Sequence, residues 1–302
     1  MNFSLNNFNF LSKTLNTKNL KDKFLISGEI ENKDQKIQAD NIEFFIKPIF
    51  PNLNIETIRL SSSTKFSFEL NKKFHFNNVN FNSDVKLDEF IFLNDKSLKN
   101  FFPKTKKKIN ISNHKIKIQY EKKYLKIDGI GDIFLQDKKD TLNYKIVKKD
   151  GKYDFKTSYA LKENPFTINF LNYEKKPNSE LMIKIEGSKL VDDKIRFNLV
   201  SLIDHDNQFI IKDLLINKKF RVVNLKEAFL DYYDKNKYKN NLNITTKKDI
   251  YYLNGRFFNA SKLIDSLTND KKNKINFIDK HFGLNIAIDE LFLDENHSLK
   301  NF

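Results

Sequence analysis

Alternation of apolar and polar residues at a period of two constrains the fold of this chain more than any other feature. In Lys115-Ile116-Lys117-Ile118-Gln119-Tyr120 every second side chain is apolar. An extended backbone therefore carries the apolar set on one face and the polar set on the other. Ile109 and Ile111 extend the apolar set and Lys108 and Asn110 the polar one, with Ser112-Asn113-His114 expected to turn the chain between the two runs. The same one-sided pattern recurs in Lys65-Phe66-Ser67-Phe68-Glu69-Leu70 and in Ile195-Arg196-Phe197-Asn198-Leu199. Further short strands are expected over 24–30, 36–46, 55–60, 125–127, 166–171, 181–186, 194–203, 208–216 and 284–293. Glu31 to Gln35 reads as a polar hairpin loop, Pro48 and Pro51 interrupt the pattern, and Asp204 to Asn207 turns the chain. Asp150-Gly151 is the best hairpin signal, because this pair supplies the positive φ angles of a tight type I′ turn.

Little of the chain has a helical period. Phe8, Leu11 and Leu15 are spaced as in a helix, which suggests a short helix or an irregular lead-in over 8–20. Residues 224–233 fit a helix or a strand. Residues 259–267 fit a helix better: Asn259 can cap it, and Leu263, Ile264 and Leu267 form an apolar stripe. The expected fold class is all-β, an antiparallel meander with one apolar and one charged face and one or two short helices.

The last third of the chain carries a repeat. Residues 87–101 return without a gap as residues 288–302, with Asp, Glu, Ser, Leu, Lys, Asn and Phe identical between the copies. Phe81 and Phe282, and Val85 and Ile286, keep the same register upstream. A strand-and-turn unit laid down more than once along a sheet would produce this pattern. Because the chain stops inside the second copy, it reads as a piece of a longer one.

Composition limits the function classes. The 30 Phe and 11 Tyr supply large apolar surfaces, so the chain is not of a disordered type despite 39% hydrophobic content. No stretch approaches the roughly 18 consecutive apolar residues of a membrane-spanning helix, and the first residues lack the features of a signal peptide. The absence of Cys excludes disulfides and thiolate metal sites. A net charge of +15 suits an anionic partner, nucleic acid or acidic lipid head groups, but also a solvated polar face, since Lys is scattered on alternate strand positions.

No catalytic constellation emerges. His75, His114, His205, His281 and His297 fall at turns or on charged faces at wide spacing, and Asp204-His205-Asp206 reads as a solvated hairpin tip. Gly129-Ile130-Gly131 lacks the third glycine and following helix of a dinucleotide loop and points to a bulge or a close approach. Asp88-Glu89 and Asp289-Glu290 are adjacent in strands, so their side chains point to opposite faces. No cofactor or metal is expected. Nucleic acid is not expected either, because the aromatics lie on the face opposite the lysines and a base-stacking platform needs both on one.

Tyr251-Tyr-Leu-Asn-Gly-Arg-Phe-Phe-Asn-Ala-Ser-Lys-Leu-Ile-Asp265, a strand, a Gly and a helix start ahead of another strand, resembles the central region of YhdP-type proteins of the AsmA-like family. Asn259 stands where the family usually has Asp, and both cap helices well. Leu125-Lys-Ile-Asp-Gly-Ile-Gly-Asp132, followed by the Asp150-Gly151 hairpin, is similar to the family's strand repeats. The resemblance covers 214–302, with 1–213 alike in style, and the two parts are expected to form one continuous elongated domain. It implies an elongated, twisted sheet curved into an open apolar groove (a β-taco) that conducts phospholipid across the periplasm without enzymatic activity. It also implies an inner-membrane anchor, expected in a segment outside this sequence. The groove candidates are Phe66, Phe68, Ile116, Ile118, Ile183, Ile185, Ile195, Phe197, Ile286 and Ile288. Two alternatives remain: a structural or adhesive β-sandwich with the apolar face fully covered, and an outer-membrane barrel.

Overall fold

Extended backbone keeps an alternating apolar set on one side, and strands account for 72% of the chain. The computed structural model describes residues 2–5, 8–37, 40, 54–94, 98–190, 193–219, 221–248, 250–268, 283–294 and 297–301. The strands are mostly antiparallel and the sheet is open, whereas a barrel requires closure. Two compact units divide the chain: Met1–Ser97 with Lys106–Tyr153, and Leu98–Thr105 with Asp154–Phe302.

The first unit is a sequential meander. β1 (Asn2–Leu5), β2 (Phe8–Leu20), β3 (Lys23–Ile37), β4 (Asn54–Asn71), β5 (Phe76–Leu93), β6 (Lys108–Glu121), β7 (Tyr124–Phe134) and β8 (Asp140–Lys149) each pair antiparallel with the next. Residues 8–20 are strand, not helix. Their Asn- and Thr-rich sequence is a poor helix former, and β3 offers an edge along nearly the whole length. The expected strand 36–46 is observed as far as Ile37; 38–39 and 41–46 lie outside the described residues, as do Pro48 and Pro51.

The strands run longer than their apolar runs. β4 joins 55–60 to 65–70 through Ser61-Ser62-Ser63-Thr64, and β3 continues through the expected loop at Glu31–Gln35. Polar bonds between strands keep these stretches extended. Asn32 Nδ2 donates to the Leu60 carbonyl at 3.2 Å, Ser62 Oγ to Asn32 Oδ1, and the Asp34 amide to Ser61 Oγ at 2.9 Å. Extra residues are taken up as bulges, one of them between Asn32 and Gln35. Ser112-Asn113-His114 is also a bulge inside β6 and not a turn. It moves the apolar phase from Ile109 and Ile111 to His114, Ile116, Ile118 and Tyr120 without reversing the chain. Asp150 and Gly151, at φ 50° and 77°, form the expected tight turn after β8.

The second unit contains β9 (Lys152–Leu161), β10 (Thr167–Ile168), β11 (Tyr173–Glu174), β12 (Leu181–Lys189), β13 (Ile195–Ile203), β14 (Gln208–Ile216), β15 (Val222–Tyr233), β16 (Lys239–Lys247), β17 (Ile250–Asn259), β18 (Gly283–Phe292) and β19 (Ser298–Lys300). β9 pairs with β12, and β12 to β17 form an antiparallel meander. The strand expected over 166–171 shrinks to β10 and a 3-10 turn, Asn169–Leu171, which Asn172 ends at φ 50°. Residues 224–233 fall within β15. β17 and β18 are parallel, contrary to the expected antiparallel order, and the crossover that parallel neighbours need contains α1 (Ser261–Thr268). The Ala260 carbonyl accepts the Ile264 amide at 2.8 Å, and Asn259 Oδ1 accepts the Ser261 amide and hydroxyl at 3.2 and 2.6 Å.

The repeated sequence shares a strand and then parts. Leu87 in β5 and Ile288 in β18 are both buried. In the second copy Ser298–Lys300 folds back onto β18, whereas Lys99 to Phe101 turn and Phe101 stacks on Phe166 at 6.2 Å. Residues 95–97, 282, 295–296 and 302 lie outside the described residues.

Candidate functional site

Strand register builds the apolar face of the first unit row by row, since directly paired residues point to the same side. One row is Phe66–Phe81–Tyr120–Leu125; the next is Ser83–Ile118–Ile127–Ile146; a third is Val85–Ile116–Gly129–Tyr144. Phe68, beside Ile26 on β3, extends the face further. Phe66, Phe68, Ile116 and Ile118 therefore share one surface. All four are half-buried, as are Phe81, Tyr120, Leu125, Ile127 and Ile146. Residues of a close-packed interior are fully enclosed, whereas each of these side chains keeps part of its surface open. Farther along the strands Ile37, Ile55, Ile58 and Leu87 form a small buried core, with Leu60, Phe90, Ile111 and Ile116 packed against it.

The second unit holds both conditions on one face. Ile183, Leu202, Phe209, Leu230, Leu242, Gly255 and Ile288 form a row by direct pairing. Ile183, Phe209, Leu230, Leu242 and Ile288 are buried in it. The stretch carrying the 3-10 turn and β11 closes this end. Tyr173 packs edge-on against Phe209 at 4.8 Å and against Tyr232 at 6.1 Å, and Tyr232 Oη donates to the Leu171 carbonyl at 2.9 Å. Two residues along each strand lies the row Ile185–Val200–Ile211–Ala228–Ile244–Leu253–Ile286, in which every member but Ala228 is half-buried. Phe197 lies half-buried beside Leu214, edge-on to Phe155 at 6.0 Å, and Ile195 pairs with Ile216. Of the candidates in this unit, Ile183 and Ile288 are thus under cover, while Ile185, Ile195, Phe197 and Ile286 are not. Nothing in the sequence marked Leu171 and Tyr173 as the cover. Phe81 and Tyr120, stacked at 5.3 Å beside the chosen residues, were recoverable from the same alternation.

Charges on the opposite face are partly paired. Asp84, Lys117, Asp128 and Lys145 lie directly opposite one another on successive strands, alternating in sign. Lys126–Asp128, Lys23–Glu69 and Lys212–Glu227 form ion pairs at 2.9, 2.7 and 3.0 Å.

His114 departs from expectation. It is fully buried, not on a turn. Its Nε2 donates to the Asp132 carbonyl at 3.1 Å, its ring stacks on Tyr144 at 5.8 Å, and its Nδ1 has no partner. Burial pushes the imidazole pKa down and that of the Tyr144 hydroxyl up to about 12. The two glycines of Gly129-Ile130-Gly131 make room for these rings, since an added Cβ on Gly129 would meet the Tyr144 ring and one on Gly131 the His114 ring. The Asp204–Asn207 turn is not the solvated tip expected. Asp204 is buried, accepting from the Tyr173 hydroxyl at 2.6 Å and from Asn207 Nδ2 at 2.7 Å. Burial raises the Tyr173 pKa and the Asp204 hydrogen bond raises it further. The neighbouring Asp206, bonded to Lys176 and then to His205, is held down at about 2.

A charged depression of about 590 Å³ lies beside this turn, lined by Glu174, Lys176, Asp206, Tyr233 and Lys235 among others. Two of its cations are compensated locally: Lys176 pairs with Asp206 at 2.6 Å and Lys235 with Glu174 at 3.2 Å. Among the described residues no cluster of three or more His, Asp or Glu is placed to hold a metal ion, and no helix is long and apolar enough to cross a membrane. The arrangement offers apolar surface on one face of each unit. Compared with known proteins, the chain matches no family model, and neither a curated protein nor a solved structure is significantly similar to it.

Proposed function

We propose that this chain is a non-enzymatic lipid-binding segment that holds phospholipid acyl chains along its uncovered apolar rows. One observation carries the reading: long rows of Phe, Ile, Leu and Tyr stay half-buried on the apolar face. Each CH₂ laid on such a surface contributes about 0.8 kcal/mol when fully buried, so an acyl chain is a strong ligand for it. The resemblance to the AsmA-like, YhdP-type family supports the same reading and adds a setting in the bacterial periplasm, between inner and outer membrane. The test is lipid extraction and native mass spectrometry of the purified, folded chain. Phospholipid should co-purify, and an Ile118→Asp/Ile127→Asp variant should carry less. Recovery of no phospholipid above background from folded protein would overturn the proposal.

A second reading, a structural or adhesive β-protein without lipid, draws on the largely buried row under Tyr173. It requires that a hydrophobic dye find no surface, whereas the lipid reading requires dye binding that added phospholipid displaces.

A further inference from the structure

One end of the first unit places cations and aromatic rings together in water. The turns between β2 and β3, β4 and β5, and β6 and β7, and the turn after β8, all lie at that end of the antiparallel meander. Lys21, Lys73, Lys122 and Lys123 sit on these turns and Lys149 ends β8, all exposed and without an ion pair among the described residues. Phe74 and Phe76 stand on the β4–β5 hairpin, 77% and 65% exposed, with Phe24 and Tyr124 also exposed nearby. This hairpin reaches past its neighbour: Asn80 pairs with Glu121 at the end of β6, so 76–79 extend beyond it.

Backbone geometry sharpens the point. Phe74 has φ 60°, and Lys122 and Lys123 have φ 45° and 72°. Bulky and long side chains are disfavoured in this left-handed region, where Asn and Gly are the low-energy choices for a tight hairpin. A phenylalanine at an exposed apex is thus unfavourable to the isolated protein in both solvation and conformation. A lipid interface reverses the first cost, because rings enter the headgroup–acyl boundary while ammonium groups meet phosphates. The rings are also continuous with the apolar face: Phe76 packs on Phe68 at 5.1 Å, and Phe68 on Phe66 at 6.0 Å.

We infer that this end docks onto an anionic lipid bilayer, with the Phe74–Phe76 hairpin in the headgroup boundary and the turn lysines on lipid phosphates. The inference deepens the lipid-binding proposal by naming where an acyl chain enters, yet it stands on different residues.

Vesicle sedimentation of the full chain tests it, with phosphatidylcholine vesicles containing about 30% phosphatidylglycerol against phosphatidylcholine alone. Binding should require the anionic lipid and weaken as salt rises. Lys122→Asn with Lys123→Gly removes two charges and relaxes the turn, so the protein should melt no lower while its vesicle affinity falls about 25-fold. Phe74→Gly should act in the same direction, relaxing φ and losing the ring. Undiminished sedimentation of both variants, equal binding of the native chain to neutral and anionic vesicles, or tighter binding to a single-stranded oligonucleotide would each overturn the inference. Lipid extraction from the same variants keeps the two proposals apart. Acyl lipid retained while sedimentation fails supports separate docking and holding sites, and sedimentation without co-purified lipid overturns only the holding site.

Discussion

Leu242 and Ile244 lie on the same strand and the same face, two residues apart, and should respond differently to truncation. Leu242 is 2% exposed, in the row under the cover of the second unit, and Ile244 is half-buried in the next row. Leu242→Ala removes enclosed methyl groups and leaves a cavity, at a cost of about 2–5 kcal/mol. Ile244→Ala removes three carbons that would contribute about 2.4 kcal/mol if fully enclosed, so a partly exposed site loses about 1.5–2 kcal/mol. No cavity adds to that loss, because one side of Ile244 faces solvent. The gap between the two variants is then on the order of 2 kcal/mol, readable as a shift in urea midpoint at an unchanged slope. The lipid-saturated protein should narrow it, since a bound acyl chain encloses Ile244. An Ile244→Ala loss as large as that of Leu242→Ala in lipid-free protein would mean that a further layer covers the row, and the reasoning from exposure would fail.

Gly131→Ala should destabilise by about 1–3 kcal/mol through overpacking. The added Cβ would overlap the His114 ring and sit 2.6 Å from His114 Cα, so ring rotation alone gives no relief. Thermal melts of the single and double variants with His114→Ala should show strong coupling. His114 also predicts a pH dependence. Its folded pKa lies below the ordinary 6.5 through burial, partly opposed by Asp132, whose carboxylate is bonded to Asn113 at 3.1 Å. The unfolded chain therefore binds the proton first, and stability present above about pH 6.5 is lost as pH falls towards the folded value. His114→Gln should flatten that slope in denaturation series at several pH values. Asn259→Asp should cost about 2 kcal/mol at neutral pH. Asn259 Nδ2 donates to Asp234 at 3.0 Å, and a carboxylate there repels what the amide binds.

The Asn259 case also qualifies an expectation. Asn and Asp cap helices about equally well, and the capping oxygen does bond Ser261. The buried Asp234 is what makes the amide necessary, and it is 25 residues away. Phase slips in the apolar pattern were similarly ambiguous. The slip at Ser112-Asn113-His114 looked like a reversal because a polar triplet separates two alternating runs. A bulge produces the same slip when strands on both sides supply hydrogen bonds, as β5 and β7 do.

Period-two alternation was enough to establish extended backbone and most of the membership of each face, while the Asp-Gly pair and a capped apolar stripe established the Asp150-Gly151 turn and the helix after Asn259. These depend on neighbours within a few positions, where φ preferences and side-chain direction act. Which rows would be enclosed was not legible, because alternation says which side chains share a face and nothing about what lies over it. Tyr173 meeting Phe209 and Tyr232, with Leu171 accepting from Tyr232 across 61 residues of sequence, is a contact that only the folded chain brings about. The parallel pairing of β17 with β18 and the gathering of four turns at one end arise in the same way, from hydrogen bonding between strands that no local pattern specifies.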